Sequence, residues 1–145
     1  MLTRSIFALT AAAFASLGAA QGADSARPCG LKIAPCPSNT VCIPNSPDCS
    51  DLNRCRGTCQ KKYPSCGGHR PNPPTCDKNS ECLDDPRIPG CGMACDRPGI
   101  CIPKNAPSCS GFAGRRCPQG LTCYDKPNDG CDPKNGGADC IGVCL

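Results

Sequence analysis

The chain has 145 residues and a formal net charge of +4, with 18 cysteines, 17 prolines, 16 glycines, one histidine and no tryptophan. Five aromatic residues cannot build a conventional core, and so small a charge without stacking aromatics excludes a typical nucleic-acid binder. Cysteine at this density marks a disulfide scaffold matured in an oxidising compartment.

Residues 1–20 read as a secretory signal peptide. Arg4 precedes an apolar stretch from Ile6 to Leu17, interrupted only by Thr10 and Ser16, and Gly18, Ala19 and Ala20 offer an A-x-A-like cleavage site. Cleavage is expected after Ala20, with Gly22 and Ala23 as alternatives. The stretch is shorter than the roughly 20 residues that span a bilayer, and no second one follows it, so no membrane span is expected. Cleavage removes Arg4 and two of the three phenylalanines, leaving Tyr63, Phe112 and Tyr124 as the aromatic residues of the mature chain. A hydrophobic core of the usual kind is therefore not expected.

A short tail, 21–28, leads into three runs of six cysteines. Module 1 spans 29–59 with Cys29, Cys36, Cys42, Cys49, Cys55 and Cys59. A linker, 60–65, leads to module 2, spanning 66–101, with Cys66, Cys76, Cys82, Cys91, Cys95 and Cys101. A second linker, 102–108, leads to module 3, spanning 109–145, with Cys109, Cys117, Cys123, Cys131, Cys140 and Cys144. Five residues separate the second and third cysteines in every run, and a proline stands just before each first cysteine: Pro28, Pro64 and Pro107. The closing spacings vary. Modules 1 and 3 end C-x3-C, whereas in module 2 the fifth cysteine, Cys95, has moved towards the fourth, and the strand carrying it is expected to approach its partner differently. Modules this small need covalent links to offset conformational entropy, each native disulfide being worth about 2–5 kcal/mol.

Proline and glycine punctuate the mature chain too often for an amphipathic helix. The predicted fold is small and disulfide-rich: three tandem, knottin-like six-cysteine modules of short β-strands and turns, with almost no helix. Thr40–Ile43 and Leu121–Tyr124 are the best strand candidates. Spacing does not choose among the connectivities open to six cysteines; a knotted order (first to fourth, second to fifth, third to sixth) is the working expectation.

Module 3 opens C-x-G-x-x-G over Cys109–Gly114, continues C-P-x-G-x-x-C over Cys117–Cys123, and closes G-G-A-D-C-x-G-x-C over Gly136–Cys144. These motifs resemble a six-cysteine module that recurs in small secreted proteins of filamentous fungi. The resemblance is partial in module 2 and little beyond cysteine spacing in module 1. It implies an extracellular, effector-like protein, active in the apoplast or a similar space, and carries over no catalytic or ligand-binding residue.

The residues offer little catalytic chemistry. His69 is the sole histidine, in a Gly-Gly-His-Arg-Pro turn, and paired cysteines are not nucleophiles, so no enzyme and no cofactor is expected. Structural zinc needs thiolates, which an oxidising compartment removes. Asp125, Asp129, Asp132 and Asp139 lack the spacing of a calcium loop and read as turn residues. Carbohydrate recognition is disfavoured by the shortage of aromatics, with a polysaccharide or cell-wall role kept as an alternative.

The sharpest specific alternative is serine protease inhibition. A substrate-like loop needs an exposed side chain on a rigid segment between disulfides. Pro86, Arg87, Ile88 and Pro89, between Cys82 and Cys91, meet that description for a trypsin-like enzyme, with a solvent-exposed proline-rich turn as the plainer explanation. Lys61–Lys62 in the first linker and Arg115–Arg116 inside module 3 are dibasic pairs, of which only the first could release a fragment on processing. No N-x-S/T glycosylation signal is present. The leading expectation is a monomeric, secreted, non-enzymatic interaction protein of effector type, whose partner is an extracellular host protein such as a receptor or protease.

Overall fold

The structure, a computed structural model, describes residues 27–145; the signal peptide expected over residues 1–20 lies outside the described residues. Nine short strands form three antiparallel three-stranded sheets, one for each cysteine run. Sheet one comprises β1 (Pro28–Gly30), β2 (Thr40–Pro44) and β3 (Arg56–Lys61). Sheet two comprises β4 (Ser65–Cys66), β5 (Ser80–Leu83) and β6 (Gly99–Pro103), and sheet three β7 (Ser108–Ser110), β8 (Cys123–Asp125) and β9 (Ile141–Cys144). The last strand of each set lies in the centre, in the orders β1-β3-β2, β4-β6-β5 and β7-β9-β8. Helix among the described residues is confined to two 3-10 turns, Gly92–Cys95 and Pro133–Asn135.

Register repeats with the sequence. The third cysteine stands opposite the sixth in all three sheets, as Cys42 with Cys59, Cys82 with Cys101 and Cys123 with Cys144. The first cysteine stands opposite a glycine two residues before the sixth, as Cys29 with Gly57, Cys66 with Gly99 and Cys109 with Gly142. Since side chains alternate along a strand, these four positions share one face. The boundary prolines find their place here. Pro28 begins an edge strand, and Pro64 and Pro107 offer their carbonyls, as does Arg27, to the N–H of the sixth cysteine at 2.8–2.9 Å. Pro28, opposite Thr58, turns its ring nitrogen away from β3, so its missing N–H removes no ladder bond, whereas Pro64 and Pro107 meet the sixth cysteine through their carbonyls alone.

All eighteen cysteines are paired, but not in the knotted order. The first joins the third (Cys29–Cys42, Cys66–Cys82, Cys109–Cys123), the second joins the sixth (Cys36–Cys59, Cys76–Cys101, Cys117–Cys144), and the fourth joins the fifth (Cys49–Cys55, Cys91–Cys95, Cys131–Cys140). Register explains this. The first and third cysteines flank the central strand on its cystine face, with Cα atoms 5.8–5.9 Å apart, and meet above the glycine. The sixth is on the same face and takes the second. The fourth and fifth lie together in the excursion between the second and third strands, where they close a local loop.

This local closure also corrects the expectation for Cys95. It is not on a strand but ends the 3-10 turn that begins at Gly92, four residues from its partner Cys91. Loops of four, six and nine residues are closed in the three modules, so the fifth cysteine can move without disturbing the sheet.

The other face of the sheets carries apolar residues. Leu83 opposes Ile100, with Ile102 two residues further on, and Tyr124 opposes Val143. Leu83, Ile100, Ile102 and Val143 form a buried cluster with Tyr63 of the first linker and Leu145, against which the partly buried Ala106 and Tyr124 pack. A small shared core thus exists where none was expected. It joins modules 2 and 3 through residues too few to give either module a core of its own. The end of β3 adds polar contacts: Gln60 Nε2 donates to the Tyr124 hydroxyl at 2.8 Å, and the Tyr124 hydroxyl lies 3.1 Å from Gln60 Oε1.

Candidate interaction surface

The loop from Cys82 to Cys91 turns as its sequence directs. Asp85, Pro86, Arg87 and Ile88 form a turn closed by the Ile88 N–H on the Asp85 carbonyl at 3.1 Å, and Asp85 Oδ1 also accepts from the Arg87 N–H at 3.1 Å. Proline following aspartate suits such a turn, because proline presets φ and the carboxylate caps the next backbone donor.

Arg87, however, points inward and is only 5% exposed. Its Nε and Nη2 donate to the two Asp85 carboxylate oxygens, each at 2.8 Å, and Nη1 donates to the Lys61 carbonyl at 2.7 Å. The guanidinium also lies 5.1 Å from the centre of the Tyr63 ring. The order that a substrate-like loop needs is present, but the side chain meant for the protease pocket is engaged inside the protein. Exposure falls on Ile88, at 42%, with Pro89 also exposed and Pro86 half-buried. Residues 85–87 thus clamp the second sheet to the first linker. Burial pushes the Tyr63 phenol above its usual pKa of 10.0; Arg87 pulls it down and Asp85 raises it.

The remaining candidates are placed as follows. His69 is exposed, its Nδ1 3.7 Å from Asp96 Oδ1 at the surface. Asp129 accepts the Cys131 N–H at 2.9 Å, and Asp132 accepts from the Asn135 side chain, as turn residues do. Lys61 ends β3, and the Lys62 N–H is bonded to the Asn39 carbonyl at 2.9 Å, so this dibasic pair is held at a strand end. Three cysteine sulfurs cluster within 4.8 Å of one another in each module, for instance Cys29, Cys36 and Cys59. They belong to disulfides, no described cysteine being free, so thiolate ligands would exist there only after reduction.

Apolar exposure has a pattern that sequence reasoning missed. Leu31 and Ile33, 41% and 45% exposed, occupy the loop between the first and second cysteines of module 1, and Phe112, 94% exposed, occupies the same loop of module 3. In module 2 this loop carries His69 and Arg70. Both ends of each loop are covalently fixed, and Gly30, Leu31 and Lys32 all have positive φ, a compact winding that turns these side chains outward. The signal was available in the sequence, as apolar residues in loops that bear no strand pattern.

No family model, curated protein or solved structure matches the chain. Heavy disulfide bonding is typical of extracellular proteins, and among the described residues no helix is long and apolar enough to cross a membrane.

Proposed function

We propose that the chain is a secreted, non-enzymatic interaction protein of effector type, which engages an extracellular partner through the loops between the first and second cysteines of its modules. The observation that carries this reading is that three of the five exposed large apolar side chains among the described residues, Leu31, Ile33 and Phe112, lie in loops closed at both ends by disulfides, the other two being Ile88 and Ile141. Exposed apolar groups on a soluble protein mark contact sites when they cluster, and a loop ordered before binding loses less entropy on docking. The cysteine density and the resemblance of module 3 to fungal secreted modules support an extracellular setting and a host partner.

Affinity capture tests this. The oxidised mature protein and a reduced, alkylated control are immobilised and exposed to host extracellular fluid. A defined host protein retained by the oxidised form alone is the expected result. Equal retention by both forms, or hydrolytic activity of the oxidised protein on host polymers, contradicts the reading.

A further inference from the structure

Phe112 stands at the tip of a short hairpin running from Cys109 to Cys117. Ser110 and Arg115 exchange both backbone hydrogen bonds, at 2.8 and 3.2 Å, and the Gly114 N–H closes on the Gly111 carbonyl at 2.9 Å. Ser110, Gly111 and Gly114 take positive φ, which turns the chain tightly enough to leave the ring outside. The hairpin is also tied inward: the Gly111 N–H donates to the Cys140 carbonyl at 3.0 Å, and a Cβ on Gly111 would lie 3.3 Å from Ile141 Cγ1. Both ends are anchored by disulfides, Cys109–Cys123 and Cys117–Cys144.

The surroundings give this finger a chemical character. Ile141, itself exposed, lies at its base and lines a recess of about 140 Å³ with Phe112 and Arg115. Between its two cysteines the hairpin carries two cations, Arg115 and Arg116, and no acid. Arg115 reaches the Ser108 hydroxyl at 3.2 Å, and Arg116 is exposed. An aromatic anchor flanked by arginine is the composition found at the energetic centre of protein interfaces. One ring and two arginines are too little for stable insertion into a bilayer, and a single aromatic gives a poor platform for a polysaccharide chain.

We infer that the Cys109–Cys117 hairpin is a preformed docking finger, with Phe112 the anchor for an apolar pocket rimmed by acidic residues on an extracellular protein, and Arg116 pairing with that rim. This inference rests on the interaction-protein reading and assigns its site.

The full-length oxidised protein with a photo-cross-linking phenylalanine derivative at position 112 is compared, in host extracellular fluid, with the same group at Asn72 in module 2. The expected result is one protein cross-linked from 112 and not from 72. Once that protein is identified and purified, the unmodified chain binds it. Phe112→Ala weakens binding about 10-fold or more, Phe112→Trp restores it, and Arg116→Glu weakens it in a manner that added salt reproduces in the parent. Since the ring is almost fully exposed, Phe112→Ala keeps the parent melting temperature.

Three results overturn the inference: no product specific to position 112, a purified partner that binds Phe112→Ala as well as it binds the parent, or retention by phosphatidylcholine–phosphatidylserine vesicles or insoluble chitin that Phe112→Ala abolishes. A partner retained by the parent but cross-linked from elsewhere defeats the finger while leaving the broader reading intact.

Discussion

Arg87 joins three segments through one side chain: its own turn at Asp85, the end of β3 at the Lys61 carbonyl, and the Tyr63 ring of the first linker. Removing one member of a buried ion pair leaves the other charge desolvated without compensation, which costs about 3–5 kcal/mol. Asp85 retains slight exposure, at 11%, so Arg87→Ala should cost about 3 kcal/mol by denaturant unfolding. A change below about 0.5 kcal/mol, the level of an ordinary surface substitution, would show that the clamp does not form. The sequence offered Arg87 as a loop residue between prolines, and nothing in that spacing reveals that its guanidinium, paired with Asp85, turns inward to a carbonyl 26 residues away. Tyr63 carries a pH prediction. Its folded pKa is raised, so the folded state holds the phenolic proton more tightly than the unfolded state does. That stabilisation is complete below the unfolded value near 10.0 and is lost as pH rises through the folded value. Phenolate absorbance should show a late-titrating component that Tyr63→Phe removes, together with part of the alkaline loss of stability; an unchanged titration in Tyr63→Phe would contradict this.

At the scale of elements, the constant gap between the second and third cysteines acquires a reason. Each begins with a turn closed by an i to i+3 bond, Pro37 to Thr40, Asp77 to Ser80 and Pro118 to Leu121, at 3.1–3.2 Å. The turn must return the chain so that the third cysteine pairs in register with the sixth while the second reaches that sixth cysteine covalently. One residue more or fewer would move the third cysteine to the opposite face. The strand candidates were legible for the same reason. Thr40–Ile43 lies within β2, whereas β8 begins at Cys123, with Thr122 and Leu145 bonded to each other just beyond it. The glycine two residues before each sixth cysteine was legible but overlooked in modules 1 and 2. A Cβ there would stand 2.5–2.6 Å from the carbonyl oxygen of Ile43, Leu83 or Tyr124, which only glycine avoids. Pairing was not legible, because it depends on which cysteines share a sheet face. The two kinds of link should differ in worth. Replacing Cys91 and Cys95 by serine opens a loop of four residues and should cost about 2 kcal/mol, whereas replacing Cys76 and Cys101 opens one of 25 and should cost about 3.5 kcal/mol by chain entropy alone, with loss of sheet order. Equal losses in the two variants, measured by thermal unfolding under non-reducing conditions, would contradict the division between sheet-crossing and local links.

In the whole molecule, each sheet has a cystine face and a face turned towards its neighbours. Tyr63, Leu83, Ile100, Ile102, Val143 and Leu145 gather on the second kind of face, so the modules are not independent beads. Composition concealed this, since six residues suffice when disulfides already restrict the unfolded chain. The alternation Gly-Ile-Cys-Ile in β6 and Gly-Val-Cys-Leu at the end of the chain holds the information, with every second residue apolar and the intervening ones glycine or cysteine. The fixed loops that display Leu31, Ile33 and Phe112 follow from the same pairing, because the first and second cysteines are each tied to the sheet rather than to each other. Proteolysis of the oxidised, unreduced protein followed by mass spectrometry of the linked peptides tests this pattern directly. The expected map joins first to third, second to sixth and fourth to fifth in every module, beginning with Cys29–Cys42, Cys36–Cys59 and Cys49–Cys55. Recovery of Cys29 linked to Cys49, Cys36 to Cys55 and Cys42 to Cys59, the knotted order, would contradict it.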